Sequence, residues 1–282
     1  MKHKKTKPTF LYFVFTAIII IGVIGLLSSD AFSNSEPNKE RKADSGAGNP
    51  NKKYEDLMSV KTPASVTSQL KDYEGFRVSF NKDNRTPNWV SWELLGTETD
   101  GAEPRYNKFW TDNEIEGCPD TKDYTNSGYD RGHMCPAADQ KWSSTAMIHC
   151  FSLANMVPQE HALNNGAWKT LETKERLWAQ RDSAIVIVAG PIYEKTDNKR
   201  IGNAGVRVPS SFFKVLIAPY LDEPRGIAFV YPNMSAPGNM ENYVMTIRDV
   251  EKLTGYDFFY NLPDDIEEKV ETVASFRDWN RR

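Results

Sequence analysis

Three stretches of the chain are apolar at nearly every position over the length of a strand: Ala184 to Ile192, Phe212 to Ala218 and Gly226 to Tyr231. A strand with one wet face alternates, so runs of this kind predict central strands covered on both faces. Phe76 to Phe80 and Trp89 to Leu95 are also β-rich, and the turn-forming residues from Asn81 to Pro87 between them predict a strand pair. A helix-like segment from Ser143 to Cys150 leads into Phe151 to Met156, which reads as ending in a strand. A longer helix starts at Leu163 or Asn164 and runs to about Arg181, with Trp168, Leu171, Leu177 and Trp178 at helical spacing. Glu241 to Leu253 and Asp264 to Phe276 read as two closing helices. The second carries Asp264, Asp265, Glu267 and Glu268 in its first turns, where the helix dipole favours acids. Together these elements predict an α+β fold, a central mixed or antiparallel sheet with packed helices, in a single domain over residues 71–282. There is no internal repeat.

The pattern ahead of this domain is different. Phe10 to Leu27 is an apolar run of 18 residues preceded by Lys2, Lys4, Lys5 and Lys7. That length exceeds the usual signal-peptide core and approaches what spans a bilayer. Residues 1–8 are therefore expected as a basic cytoplasmic flank and 9–28 as a signal anchor or signal peptide. The catalytic part would then lie outside the cytoplasm: on a single-pass membrane anchor, or secreted or periplasmic if the segment is cleaved near Ala31 and Ser33. Residues 29–70, rich in Ser, Asn, Lys, Glu, Gly and Pro, read as a flexible linker.

Composition adds little except by exclusion. With 39% hydrophobic and 12% aromatic residues the chain builds a sizeable core. A formal net charge of −3 supplies no global basic field, so any polyanion must be met by local positive potential. Three cysteines, Cys118, Cys135 and Cys150, allow at most one intramolecular bridge. No Cys-x-x-Cys or matching histidine pair marks a zinc site.

The chemistry concentrates at Tyr129-Asp130-Arg131-Gly132-His133-Met134, where an acid, a guanidinium, a glycine and an imidazole are consecutive. Besides His3, the chain has only His133, His149 and His161, so a base working near neutral pH has few candidates, and His133 is the best placed. His149 and His161 read as structural or surface histidines. Gly132 permits unusual dihedrals or close approach to a ligand, and Arg131 offers a planar fork for phosphate oxygens. Downstream come Asn155-Met156-Val157-Pro158-Gln159 and Leu163-Asn164-Asn165-Gly166-Ala167-Trp168-Lys169-Thr170-Leu171-Glu172. Asp-Arg-Gly-His, Asn-x-x-Pro-Gln and Asn-x-Gly-x-Trp-x-x-x-Glu, in this order, resemble the DNA/RNA non-specific endonuclease family with its endonuclease G-like members. The resemblance runs from about Tyr73 to Tyr260. It implies a ββα-metal active site, Mg²⁺ as cofactor with Mn²⁺ as a substitute, DNA and RNA as substrates, and 5′-phosphate products; a protein inhibitor is a candidate partner that the sequence does not itself disclose.

Phosphodiester hydrolysis needs a base for water, charge stabilisation at phosphorus and relief of charge on the leaving oxygen. His133 suits the base, provided a neighbouring acceptor such as a backbone carbonyl fixes its tautomer. Asn164, at the helix start, suits the one direct ligand of a hard cation that keeps most of its water, as Mg²⁺ does. Glu172 lies eight positions on, about 12 Å along a regular helix and roughly 80° round it, so a water-mediated contact to the ion fits better than direct ligation. The resemblance implies the same for this glutamate. Arg131 is expected to neutralise phosphate, Asp130 to brace the loop, and Asn155 to be the family's supporting active-site asparagine. Plainer readings stand beside these. Asn164 also suits a helix cap, Trp168 a core residue and Glu172 a solvated helix position. Cys135 and Cys150 beside the motif, and Glu93 where some members offer an arginine, depart from the family pattern. A phosphodiesterase with a non-nucleic-acid substrate and a catalytically inactive nucleic-acid-binding module are the alternative functions. The sequence leaves the oligomeric state open.

Overall fold

A computed structural model describes Tyr54, residues 56–196 and residues 198–281. The expected N-terminal flank and membrane segment lie outside these residues. Among the described residues, no helix is long and apolar enough to cross a membrane.

The centre is a seven-stranded sheet. Its strands in chain order are β2 (Gln69–Tyr73), β3 (Phe76–Asn81), β4 (Thr86–Leu95), β7 (Ala184–Ile192), β10 (Ser211–Ala218), β11 (Arg225–Pro232) and β12 (Val244–Met245). They are arranged β12-β11-β10-β7-β4-β3-β2. Smaller pairs join β1 (Val60–Lys61) to β13 (Asp257–Phe258), β5 (Asp130–His133) to β6 (Met156–Gln159), and β8 (Arg200–Ile201) to β9 (Val206–Arg207). The strand pairing in the main sheet is antiparallel throughout. The nearly continuous apolar runs of β7 and β10 arise because this antiparallel sheet is covered on both faces. Ile185, Ile187, Phe212 and Leu216 enter one core, while Val186, Val188, Phe213 and Val215 enter the other.

The first core is closed by a long helix, α4 (Lys169–Asp182), whose Leu171, Trp178 and Ala179 pack on the sheet. Leu177, read as part of that apolar face, is exposed. The second core takes α5 (Ile247–Thr254) through Ile247 and Val250, and α6 (Asp264–Thr272) through Val270. It also takes Tyr54, Leu57 and Val60, so the stretch read as flexible linker up to residue 70 already carries core residues and the strands β1 and β2. The helix expected from Glu241 begins only at Ile247, where the Thr246 side chain accepts from Asp249 N. The last expected helix is divided: α6 ends at Thr272, and Ser275 caps a separate α7 (Phe276–Asn280) that buries Trp279.

Three short helices complete the site's surroundings: α1 (Thr121–Tyr124), α2 (Ser144–His149) and α3 (His161–Leu163). The strand expected to end at Met156 instead begins there, as β6, after a 3₁₀ turn at Leu153–Asn155. Between α3 and α4 the chain makes one π turn, Asn164–Trp168, in which Gly166 leaves helical dihedrals. The antiparallel pair β5–β6 followed by α3, the π turn and α4 forms the ββα unit.

Candidate active site at the ββα unit

In β5, Asp130 pairs with Gln159 of β6, Gly132 with Val157, and His133 with Met156. Gly132 serves close approach: a Cβ there would lie 2.4 Å from Gln159 Oε1 and 2.6 Å from its Cβ. Its backbone needs no left-handed dihedral, so of the two expected uses of this glycine only tight packing applies, against the partner strand.

β5 delivers His133 to the wall of a cleft of about 510 Å³, lined also by Arg105, Phe109, Asp130, Arg131, Asn164, Lys169, Glu172 and Arg176. The imidazole is buried against Phe109 and Phe151, with ring centroids 5.7 and 4.9 Å away. The Arg131 backbone is its hydrogen-bond partner, a contact that opposes the lowering of its pKa. Among the described residues, Nε2 has no hydrogen-bond partner. Burial, reinforced by the charge of Arg105, pushes the His133 pKa down to about 3. The ring is therefore neutral at physiological pH, with a ring nitrogen unengaged.

Asn164 lies at the first position of the π turn. Its Nδ2 donates to Asp130 Oδ2 at 2.8 Å, and the same oxygen meets His161 Nδ1 at 2.9 Å. With the amide nitrogen so held, the carbonyl oxygen is left as the free end of a residue that lines the cleft. His161, read only as structural or surface, thus supports a site residue while remaining largely exposed.

The π turn corrects the helical geometry inferred for Glu172. Gly166, at φ −107° and ψ −111°, breaks the helical path between Asn164 and Glu172, so a regular-helix rotation does not describe their offset. Both side chains line the cleft. Glu172 keeps part of its surface open, yet the surrounding protein pushes its pKa up to about 7, chiefly by burial, with Lys214 pulling in the opposite direction.

Arg131 stands between the rings of Phe109 and Tyr124, 5.2 and 5.8 Å from their centroids. Its Nη2 donates to Thr121 O at 2.7 Å and Thr125 Oγ1 at 3.1 Å. One edge of the guanidinium is thus tied to α1, and the group lines the cleft with a fixed orientation. Asn155, expected among the catalytic residues, is fully buried and does not line the cleft. It brackets two chain segments: Oδ1 accepts from Cys135 N at 2.9 Å, and Nδ2 donates to the carbonyls of Cys135 and Cys150, each at 2.9 Å. Trp168 is core. Cys118, Cys135 and Cys150 are all free thiols.

Sequence reading missed three cations of the cleft: Arg105, Lys169 and Arg176. Arg176 is one helical turn beyond Glu172 and could have been found from that spacing; its Nη1 donates to the buried Asp139 at 2.9 Å. Arg105 sits in an irregular stretch with no periodic signal. Glu93, noted as standing where an arginine was expected, is instead a partner of Tyr220 Oη at 2.6 Å and does not line the cleft.

The donor set of the cleft is an amide oxygen and a carboxylate, hard oxygen ligands that fit Mg²⁺ or Mn²⁺ and not a soft metal. Among the described residues, the one group of three carboxylates with ligand atoms within 4.8 Å of one another is Glu251, Asp257 and Glu271. None of these lines the cleft, and Arg248 already binds Glu271.

The sequence profile of the DNA/RNA non-specific endonuclease family matches residues 53–265. The chain belongs to this family. The match begins about twenty residues before the expected Tyr73, in keeping with the packed segment that precedes β2. The chain is 34% identical over 215 residues to the mitochondrial nuclease EXOG of Xenopus laevis, covering 70% of this chain and 60% of that protein. It is 33% identical to the mitochondrial nuclease 1 of Schizosaccharomyces pombe, covering 71% and 69%. The chain thus spans less than two thirds of the frog nuclease. Among solved structures, a complex of EndoG with EndoGI, described as showing the mechanism of EndoG inhibition, is similar with a TM-score of 0.64 and 28% identity, over 70% of this chain and 87% of that one. The relatives also correct an expectation: they are mitochondrial nucleases, which overturns the exported or membrane-anchored location inferred from the N-terminal pattern.

Proposed function

We propose that this protein is a metal-dependent endonuclease that hydrolyses phosphodiester bonds of DNA and RNA without sequence specificity, leaving 5′-phosphate ends. The observation that carries this reading is the convergence of a neutral imidazole, an oriented amide oxygen, a carboxylate and four cationic side chains on one cleft. His133 takes the proton of the attacking water at Nε2, while its contact with the Arg131 backbone holds the other side of the ring. Arg105, Arg131, Lys169 and Arg176 receive phosphate oxygens, supplying locally the positive potential that the net charge of −3 denies the whole surface. Asn164 would hold a hard divalent cation directly and Glu172 through a bound water. That ion, Mg²⁺ or Mn²⁺, supplies Lewis-acid stabilisation of charge at phosphate and leaving oxygen. Similarity to an inhibitor-bound nuclease supports a protein inhibitor as a partner.

Cleavage of plasmid DNA and of RNA with and without Mg²⁺ tests the activity, and two variants test the ligand assignment. Asn164→Ala should lose metal binding and cleavage together, whereas Glu172→Ala should retain weakened binding. Calorimetric Mn²⁺ binding by Asn164→Ala equal to wild type would reverse the assignment.

A further inference from the structure

Lys214 is an ammonium placed in the middle of a central strand, and it is completely buried. Its Nζ donates to Glu175 Oε2 of α4 at 2.8 Å, and Glu175 is equally buried. The ammonium also lies 4.6 Å from the ring centroid of Trp168, the last residue of the π turn, and 5.6 Å from that of Trp92 on β4. Trp92 Nε1 donates in turn to Asp139, which accepts from the cleft residue Arg176. Every link from Lys214 thus leads to α4 or to the turn that starts it.

A buried ion pair is weak support for stability, because desolvating two charges offsets most of their attraction; an apolar pair of similar volume often does as well or better. Most of the rest of this interface is apolar: Leu171, Trp178 and Ala179 on the helix face Phe212 and Leu216 on the strand side. Apolar contacts hold a helix against a sheet but tolerate sliding and rotation, whereas a hydrogen-bonded ion pair fixes one distance and one direction. Glu175 is three residues from Glu172, and Trp168 is four from Asn164.

We infer that Lys214 is a positioning residue: through Glu175 and Trp168 it pins the π turn and α4 to the sheet, setting the positions of Asn164 and Glu172 in the cleft. The inference rests on the assignment of those two residues to metal binding. Loss of such a supporting contact costs about 10- to 100-fold in metal affinity.

Two variants test it by calorimetric Mn²⁺ binding, circular dichroism and steady-state cleavage of a defined oligonucleotide. Lys214→Met with Glu175→Leu replaces the pair by apolar side chains. Glu175→Asp keeps both charges but shortens the link by one methylene. Both should remain folded, with Mn²⁺ affinity reduced at least tenfold and kcat reduced more than KM is raised. A folded variant of either kind with Mn²⁺ affinity within twofold of wild type would overturn the inference. Should the double variant not fold, Glu175→Asp decides alone. Asn164→Ala, measured in parallel, separates the two levels. If it also binds Mn²⁺ normally, the metal-site reading has failed; if it does not bind while the paired variants do, only the role of Lys214 has.

Discussion

Asp130 Oδ2 accepts a hydrogen bond from Asn164 Nδ2 at 2.8 Å, joining residues 34 positions apart. The bond decides which end of the Asn164 amide is free. Asp130→Ala releases the amide to rotate, and Mn²⁺ affinity and cleavage should both fall about 10- to 100-fold. His161→Ala, which leaves the Asp130–Asn164 bond in place, should cost less than about threefold, well below the loss of a supporting contact. Parallel calorimetry and cleavage rates check the ranking; equal losses would place the orienting role on His161.

His133→Ala should reduce kcat by about 10²-fold or more while the domain stays folded, because the base is lost but the sheet is untouched. The depressed pKa adds a second expectation. With a folded value of about 3 the ring remains neutral from pH 8 to pH 5, so its NMR resonances should stay constant across a range in which an ordinary imidazole titrates. A shift centred near pH 6.5 would contradict this environment.

Glu172, its pKa pushed up to about 7 chiefly by burial, binds a proton in the folded state over a range where the unfolded chain does not. The folded protein then holds more protons than the unfolded one, so this residue's contribution to stability declines as pH rises from about 4.5 to 7. Glu172→Gln should flatten that decline in metal-free protein, raising the melting temperature at pH 8 more than at pH 5. Thermal unfolding at the two pH values tests it, and an equal change at both would refute the assignment.

Asn155→Leu leaves one buried N–H and two buried carbonyls without the amide that joins them. At about 1–3 kcal/mol for each orphaned group, with partial relaxation, the loss of stability should be about 3 kcal/mol or more by urea unfolding. A loss below about 1 kcal/mol, no more than one ordinary hydrogen bond, would show that the bracket is dispensable.

The parts legible in the sequence are those fixed by local pattern. Apolar runs located β7, β10 and β11, and helical spacing located the start of the long helix that carries Glu172. What escaped depends on contacts between distant segments. The strand β1 is two residues long and exists because Val60 pairs with Phe258, so nothing local distinguishes it from the polar segment before it. Lys214 interrupts an apolar run, yet it is buried because Glu175 waits on a helix 39 residues away. Arg105 reaches the cleft from irregular chain, where no periodicity reports orientation.

The π turn at Asn164–Trp168 also separates distance along the text from distance in space. Two functional letters eight apart line one cleft although the helix between them is broken at Gly166. A relative with eight letters and a straight helix would keep every letter and turn one away by about a quarter turn. For this helix the signature is a spacing tied to a local break, so the letters alone do not fix whether the two side chains share a cleft.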